Sequence, residues 1–306
     1  MYNFIVNTAS RSGNGLYVWN AVETKLKEEQ VEYKAHFTKY RFHATKIAKK
    51  LTGTGSPVTL IGVGGDGTVN EIINGIVDFE QTTFGYIPTG SGNDFAKGLP
   101  IPGKPLEALD CILHPRYIRS MDIGDVLYNG KSKSFAVSMG IGFDASICFE
   151  SNTSPIKNIL NKVKLGKLTY VGVALKQLLL LNTSKITLTL DDSKVYQFDK
   201  CYFITIMNQK YEGGGFAFCP EAENNDDYLD ICVVDSIPKA KIAVVFPSAF
   251  KGNHVKIQGI HIFRCKKAHI LSDTLLPVHV DGENCSYLAD LIVQLKIQKI
   301  NVLSET

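Results

Sequence analysis

The sequence has 306 residues, 44% of them hydrophobic and 21% charged, with a formal net charge of +3. That is ordinary composition for a folded globular protein, and so mild a charge argues against a nucleic-acid binder, which would show a concentrated basic face. At this length a single core usually stops growing, so two domains are expected. Seven cysteines (Cys111, Cys148, Cys201, Cys219, Cys232, Cys265 and Cys285) are scattered and form no C-x-x-C pair. They are expected to be reduced, packed thiols of a cytoplasmic protein. No apolar run reaches the roughly 18 residues that a membrane-spanning helix needs, and no signal peptide precedes the first strand pattern.

The first third alternates strand and helix patterns. Residues 2–6 read as a strand, 16–29 as a helix, 31–37 as a strand and 44–51 as a helix. A buried strand over 58–63, a helix over 69–77 and a strand over 84–87 follow. This βαβα order predicts a parallel sheet covered by helices. Past Asp122 short strands recur. A hairpin is expected around Asn129-Gly130, with further strands over 186–190, 202–207, 229–234, 261–263, 278–280 and 291–297. The exception is 156–181, which reads as a long helix or helix pair, basic at one end and apolar beyond. That segment could lie on an anionic membrane, but packing on the second domain with an exposed lysine turn is the favoured reading. The expected boundaries are 1–121, rejoined by about 296–306, and 122–295, a mostly antiparallel β-sandwich.

Two loops carry chemical information. The buried strand 58–63 ends in Gly64-Gly65-Asp66-Gly67-Thr68, and a helix pattern begins at once. Glycines let backbone N–H groups approach a phosphate closely, and a helix start adds its unpaired donors. A carboxylate would repel that phosphate unless it held a divalent cation or oriented a group beside it. Residues 62–67 also match the dinucleotide pattern G-x-G-x-x-G, whereas a P-loop fails because Thr68-Val69 replaces Lys-Ser/Thr. A plain tight turn remains an alternative for this loop alone. The second loop, Gly90-Ser91-Gly92-Asn93-Asp94, again follows an apolar strand and opens a helix. A third polar loop, 7–13, follows the first strand. All three would meet at the carboxyl edge of a parallel sheet, where open α/β folds bind ligands.

At these residues the chain resembles the diacylglycerol kinase catalytic-domain family, especially its bacterial soluble lipid kinases. The carriers are Gly64-Gly65-Asp66-Gly67-Thr68-x-Asn70 and Pro88-x-Gly90-Ser91-x-Asn93-Asp94-Phe95. Downstream, Gly140-Ile141-Gly142-Phe143-Asp144-Ala145, Gly213-Gly214-Gly215, Pro220-x-Ala222 and Asp281-Gly282-Glu283 sit at family-like places. The resemblance implies an NAD kinase/diacylglycerol kinase-like α/β domain, a second β-sandwich domain and a cleft between them. It implies ATP on Asn7, Thr38, Gly64, Gly65, Asp66, Gly67, Thr68, Val69, Asn70, Ser91 and Asn93. It also implies Asp66 and Glu283 as catalytic groups, Glu283 being the general base that takes the acceptor's hydroxyl proton. The turn before residue 229 would hold Mg²⁺ through the Asp226 carboxylate and the main-chain carbonyls of Glu223 and Tyr228. A second Mg²⁺ would arrive with ATP. Three positions depart from the family: Asn7-Thr8 for Asn-Pro, Ser91 for threonine, and Asp227 for glycine.

The expected activity is therefore ATP- and Mg²⁺-dependent phosphorylation of a lipid hydroxyl, with diacylglycerol giving phosphatidic acid first among the acceptors. An NAD kinase shares the first loop and stands as the enzymatic alternative, and a lipid- or nucleotide-binding regulator without catalysis as the non-enzymatic one. The expected partner is a lipid at a membrane surface, met by a cytoplasmic protein peripheral to the inner face. No nucleic acid is expected, and a homodimer is left open.

Overall fold

The structure is a computed structural model that describes residues 1–153 and 182–305. The helix and membrane-facing side expected over 156–181 lie outside the described residues. The first domain is built on a six-stranded sheet: β1 (Tyr2–Val6), β2 (Tyr33–Phe37), β3 (Val58–Gly64), β4 (Thr82–Pro88), β5 (Tyr117–Met121) and β15 (Ile300–Ser304), in the order β2-β1-β3-β4-β15-β5. The first four strands and β15 run parallel, and β5 closes the edge antiparallel to β15. Most of β3 is buried, as is most of β4, which is why both read as continuous apolar runs rather than alternating ones.

Helix α1 (Ser10–Glu28) buries Val18, Trp19, Val22 and Leu26 in the first domain's core, where Trp19 meets rings of β1 and β2. Trp19 packs on Phe4 with ring centroids 5.4 Å apart. The helix begins at Ser10, before the Leu16 start expected from apolar spacing. The reason is local: Asn7 Oδ1 accepts the Ala9 N–H at 3.2 Å and Asn7 O accepts the Ser10 N–H at 3.2 Å, so the polar loop is already coiling. Helices α2 (His43–Thr52) and α3 (Asp66–Ile73) follow β2 and β3. Two short elements, α4 (Asp94–Lys97) and α5 (Pro105–Leu113), complete the domain.

The second domain is a nine-stranded antiparallel sheet folded on itself. Its strands are β6 (Gly124–Tyr128), β7 (Lys131–Phe135), β8 (Ser138–Gly142), β9 (Ser184–Leu190), β10 (Lys194–Met207), β11 (Leu229–Asp235), β12 (Ile260–Cys265), β13 (Lys267–Val280) and β14 (Glu283–Leu295). The first half of β10 pairs with β9 and its second half with β8, with register shifts between Phe198 and Cys201 against β9 and between Cys201 and Phe203 against β11. Strand β13 does the same, slipping register between Leu271 and Leu276. Bulges bend long strands, so β10 and β13 pass from one layer into the other and close the sandwich expected from the sequence. Helix α6 (Phe143–Thr153), which the sequence reading did not place, packs across β13 and β14.

The chain crosses between the domains twice, at residues 122–123 and 296–299. Asn208, fully buried, donates to Asp122 O at 2.8 Å and Ala136 O at 2.9 Å near the first crossing. Among the described residues no helix is long and apolar enough to cross a membrane.

Candidate active site

Strand β1 turns outward to β2 on one side and its other neighbour is β3. That reversal opens a crevice at the carboxyl ends of β1 and β3. The three loops anticipated from the sequence converge there. Gly65 is extended, with φ −102° and ψ −174°, and α3 starts one residue later at Asp66. The first turn of α3 therefore points its unpaired N–H groups into the crevice. Asn7 Nδ2 donates to Thr68 Oγ1 at 3.0 Å, and Ser10 Oγ lies 2.6 Å from Thr89 Oγ1. These two contacts tie the polar loop after β1 to the ends of β3 and β4.

The second loop is closed by Asn93, which sits in the left-handed region at φ 52°. Its Oδ1 accepts from Gly90 N at 2.9 Å and from Tyr86 Oη at 3.1 Å. Tyr86 Oη also lies 3.1 Å from Gly64 O, so one buried phenol touches both glycine loops. The loops approach so closely that a Cβ on Gly90 would sit 2.7 Å from Gly65 Cα. Only glycine fits that contact.

Four carboxylates surround this loop pair. Asp66 Oδ1 accepts the Phe95 N–H at 3.0 Å, while Oδ2 takes no hydrogen bond among the described residues. Burial, and then the charge of Asp94, push the Asp66 carboxyl up to about 6. Asp94 pairs with Lys97 Nζ at 2.8 Å and accepts the Gly214 N–H at 2.8 Å. Asp281 is buried and accepts from Asn70 Nδ2 at 2.8 Å and from the N–H groups of Ala136, Val137 and Ser138 at 3.0, 2.9 and 3.1 Å. With Gly282 it forms the two-residue turn of the β13–β14 hairpin, at φ 50° and 74°. Paired positive φ values are what such hairpins require. The turn delivers Glu283 over the first loop: a Cβ on Gly67 would lie 2.9 Å from Glu283 Oε1. Arg41 Nη2 holds the other oxygen at 3.0 Å.

A cleft of about 580 Å³ results, lined by Asn7, Ser10, Thr38, Arg41, Gly65, Gly67, Thr68, Gly90 and Glu283 among others. It gathers five of the anticipated nucleotide residues. Others lie behind it: Gly64 and Val69 are buried in the first domain, and Asn70 turns away to Ser134 O and Asp281. Asn93 shapes its loop from within, and Ser91 is exposed at the tip. Sequence reasoning missed Arg41, Glu71 and Tyr86. Glu71 accepts the N–H groups of Phe42 and Ala44 at 2.8 and 3.1 Å and so fixes the Arg41 loop to α3. Arg41 is 242 positions from its partner, so no local pattern could have revealed it.

Beneath the Glu283 hairpin lies a buried polar group. His279 Nδ1 accepts the Gly282 N–H at 3.2 Å, which places the ring proton on Nε2, 2.5 Å from Asp144 Oδ2. Burial alone would lower the His279 pKa; Asp144 and Glu212 raise it above the ordinary value. Glu212 lies close by, its Oε2 buried without a hydrogen-bond partner among the described residues. Its burial, then the charge of Asp144, push that carboxyl up to about 8.

The anticipated metal turn is separate from the cleft. Asp226 Oδ2 is ion-paired with Arg264, and Oδ1 accepts the Tyr228 N–H at 3.1 Å. Glu223 is exposed to solvent.

Glycine-rich loops at the carboxyl edge of a parallel sheet, with an acid delivered from a sandwich domain, define a two-domain kinase of the NAD kinase-like fold. Comparisons with known proteins agree. The diacylglycerol kinase catalytic domain model matches residues 1–126, and the YegS C-terminal NAD kinase beta sandwich-like domain matches residues 138–303. The chain belongs to the diacylglycerol kinase-like lipid kinase family, a family of enzymes. Bacillus subtilis YtlR, which carries a provisional lipid kinase name, is 27% identical over 92% of this chain and 92% of its own. A diacylglycerol kinase of Staphylococcus saprophyticus is 27% identical over 92% and 87%. Among solved structures, a protein of Bacillus anthracis provisionally called a diacylglycerol kinase shares the fold with a TM-score of 0.77 at 24% identity, covering 99% of this chain and 97% of its own. An Archaeoglobus fulgidus NAD kinase in complex with ATP is more distant, with a TM-score of 0.57 at 10% identity over 100% and 94%.

Proposed function

We propose that this protein transfers the γ-phosphoryl group of ATP to the hydroxyl of a lipid alcohol presented at a membrane surface, diacylglycerol being the first acceptor to test. The observation that carries this reading is the placement of Glu283 directly over Gly67, at the start of a helix whose N–H groups face the cleft. An acceptor hydroxyl between Glu283 and a phosphate resting on that helix would have its proton acceptor within hydrogen-bond reach.

The residues present also fit a divalent cation beside the phosphates. Asp66 is a carboxylate held by burial and by Asp94 near the point of protonation, with one oxygen lacking a hydrogen-bond partner among the described residues. A Mg²⁺ ion held there would neutralise phosphate charge. The chain's own groups do the rest. The N–H groups of residues 65–67 cradle phosphate oxygens, while that of Thr68 donates to Gly65 O at 2.9 Å; Asn7 holds Thr68, Glu283 accepts the hydroxyl proton, and Arg41 orients Glu283.

The test is transfer from γ-labelled ATP, with Mg²⁺, to a panel of acceptors in mixed micelles: diacylglycerol, monoacylglycerol, a sphingoid base, phosphatidylglycerol and undecaprenol, with NAD alongside. A labelled lipid that disappears in the Glu283→Gln variant is the expected result. Labelled NAD with no labelled lipid would replace this reading with NAD phosphorylation.

A further inference from the structure

The resemblance implies magnesium at the turn 223–228, and the residues of this chain do not fit it. Three of the carboxylates at the turn already carry a protein cation or its hydrogen bonds; of the others, Glu223 is exposed and Asp230, just past the turn, has its buried Oδ2 without a partner among the described residues. Asp226 is held by Arg264 and by the Tyr228 N–H. Asp227, which stands where the family has glycine, is in the left-handed region at φ 63° and reaches Lys299 Nζ at 2.8 Å. The same Nζ lies 2.8 Å from Asp122 Oδ1, while Asp122 Oδ2 accepts the Asp227 N–H at 3.0 Å. The same Arg264 guanidinium lies 4.7 Å from the Tyr228 ring, and one further cation, the Lys266 ammonium, lies 5.3 Å from it. A divalent ion entering here would displace one cation and be repelled by the others.

We infer that Lys299 is a built-in cation shared by Asp122 and Asp227 at this turn, and that it, rather than a divalent metal, locks the hinge between the two domains. The position of each partner supports this. Asp122 lies on the first crossing between domains and is almost fully buried, with 2% of its side chain exposed. Lys299 lies on the second crossing, just before β15 re-enters the first domain's sheet. The acidic turn belongs to the second domain, and Asn224 within it accepts the Asp122 N–H at 2.7 Å and donates to Gly98 O at 3.1 Å. Beside the clamp, Lys296 N donates to Ile123 O at 2.8 Å, so both crossings are already in register. One ammonium thus ties together three segments: both crossings and the turn. Burial opposes the Lys299 charge, yet Asp122 and Asp227 outweigh it and raise its pKa, while Lys299 lowers that of Asp227. The buried partner is what gives the contact weight, because an exposed pair alone contributes little.

The experiment measures thermal unfolding of the full chain without nucleotide, in EDTA and with Mg²⁺ or Ca²⁺, for wild type, Lys299→Ala, Lys299→Arg and Asp226→Asn. Metal content of the untreated wild-type and Asp226→Asn proteins is measured in parallel. The expected wild-type result is a metal content and a response to Mg²⁺ identical to those of Asp226→Asn, whatever binds elsewhere. Lys299→Ala should lose roughly 5–15 °C in Tm, because it leaves Asp122 buried and unpaired. It should recover part of that loss in Mg²⁺ or Ca²⁺, as the vacated space and two carboxylates now suit a divalent ion. Lys299→Arg should keep most of the wild-type Tm and no metal response. A metal retained by wild type but not by Asp226→Asn, a Mg²⁺ response that vanishes in Asp226→Asn, or a Lys299→Ala protein as stable as wild type would overturn the inference. If Lys299→Ala does not fold, the wild-type metal content and its comparison with Asp226→Asn still decide.

Discussion

Asp66→Asn should abolish phosphoryl transfer and at the same time stabilise the free protein. The carboxyl of Asp66 ionises near 6 rather than at its ordinary 3.8, because burial and then the charge of Asp94 oppose the anion. At 1.36 kcal/mol per tenfold change, that gap is worth about 3 kcal/mol at neutral pH, and relaxation around the site reduces it to about 1–3 kcal/mol. The sign follows from proton linkage. The folded state holds the proton more tightly than the unfolded state, so stability falls as pH rises from about 4 to about 6 and stays reduced above that window. An asparagine keeps the Phe95 N–H bond through its own Oδ1 and carries no charge. The variant should therefore melt several degrees higher than wild type at pH 7.5, at roughly 2–4 °C per kcal/mol for a chain of this order of size. The advantage should shrink toward zero near pH 4. Scanning fluorimetry or calorimetry without nucleotide and metal, at pH 4, 5, 6 and 7.5, measures it. A variant less stable than wild type at pH 7.5, or an advantage that does not change with pH, would refute the reasoning.

Glu283→Gln should lower turnover by about 10²-fold or more while leaving Tm within a degree or two, since its contact with Arg41 is largely exposed; steady-state transfer assays and a melt check both halves. Gly67→Ala places a methyl 2.9 Å from Glu283 Oε1, so transfer should fall at least about tenfold by displacing the base, with circular dichroism unchanged. Glu212 ionises near 8 instead of 4.5, so the fold holds its proton at neutral pH. Wild-type stability should then decline as pH rises from about 4.5 to about 8, and Glu212→Gln should flatten that decline; parallel slopes in the two proteins would show that Glu212 does not titrate there.

The sequence by itself determined a good part of this protein. The apolar runs of β3 and β4, each broken by a glycine-rich turn with helix signals after it, fixed a parallel sheet and two phosphate-like loops at its edge. Asn129-Gly130 marked a hairpin, and the short strands that follow marked the second domain. These features are local: a strand buried on both faces needs an unbroken apolar run, and a left-handed turn needs glycine or asparagine. The placement of Glu283 over Gly67, the Arg41 contact across 242 positions, and the phenol of Tyr86 bridging two loops were decided only by tertiary structure. So was the Lys299 contact with Asp122 and Asp227. Nothing in the neighbourhood of Lys299 distinguishes it from a solvated surface lysine. Its role depends on two chain crossings and an acidic turn meeting in space, and proximity created by folding leaves no period or spacing in the sequence.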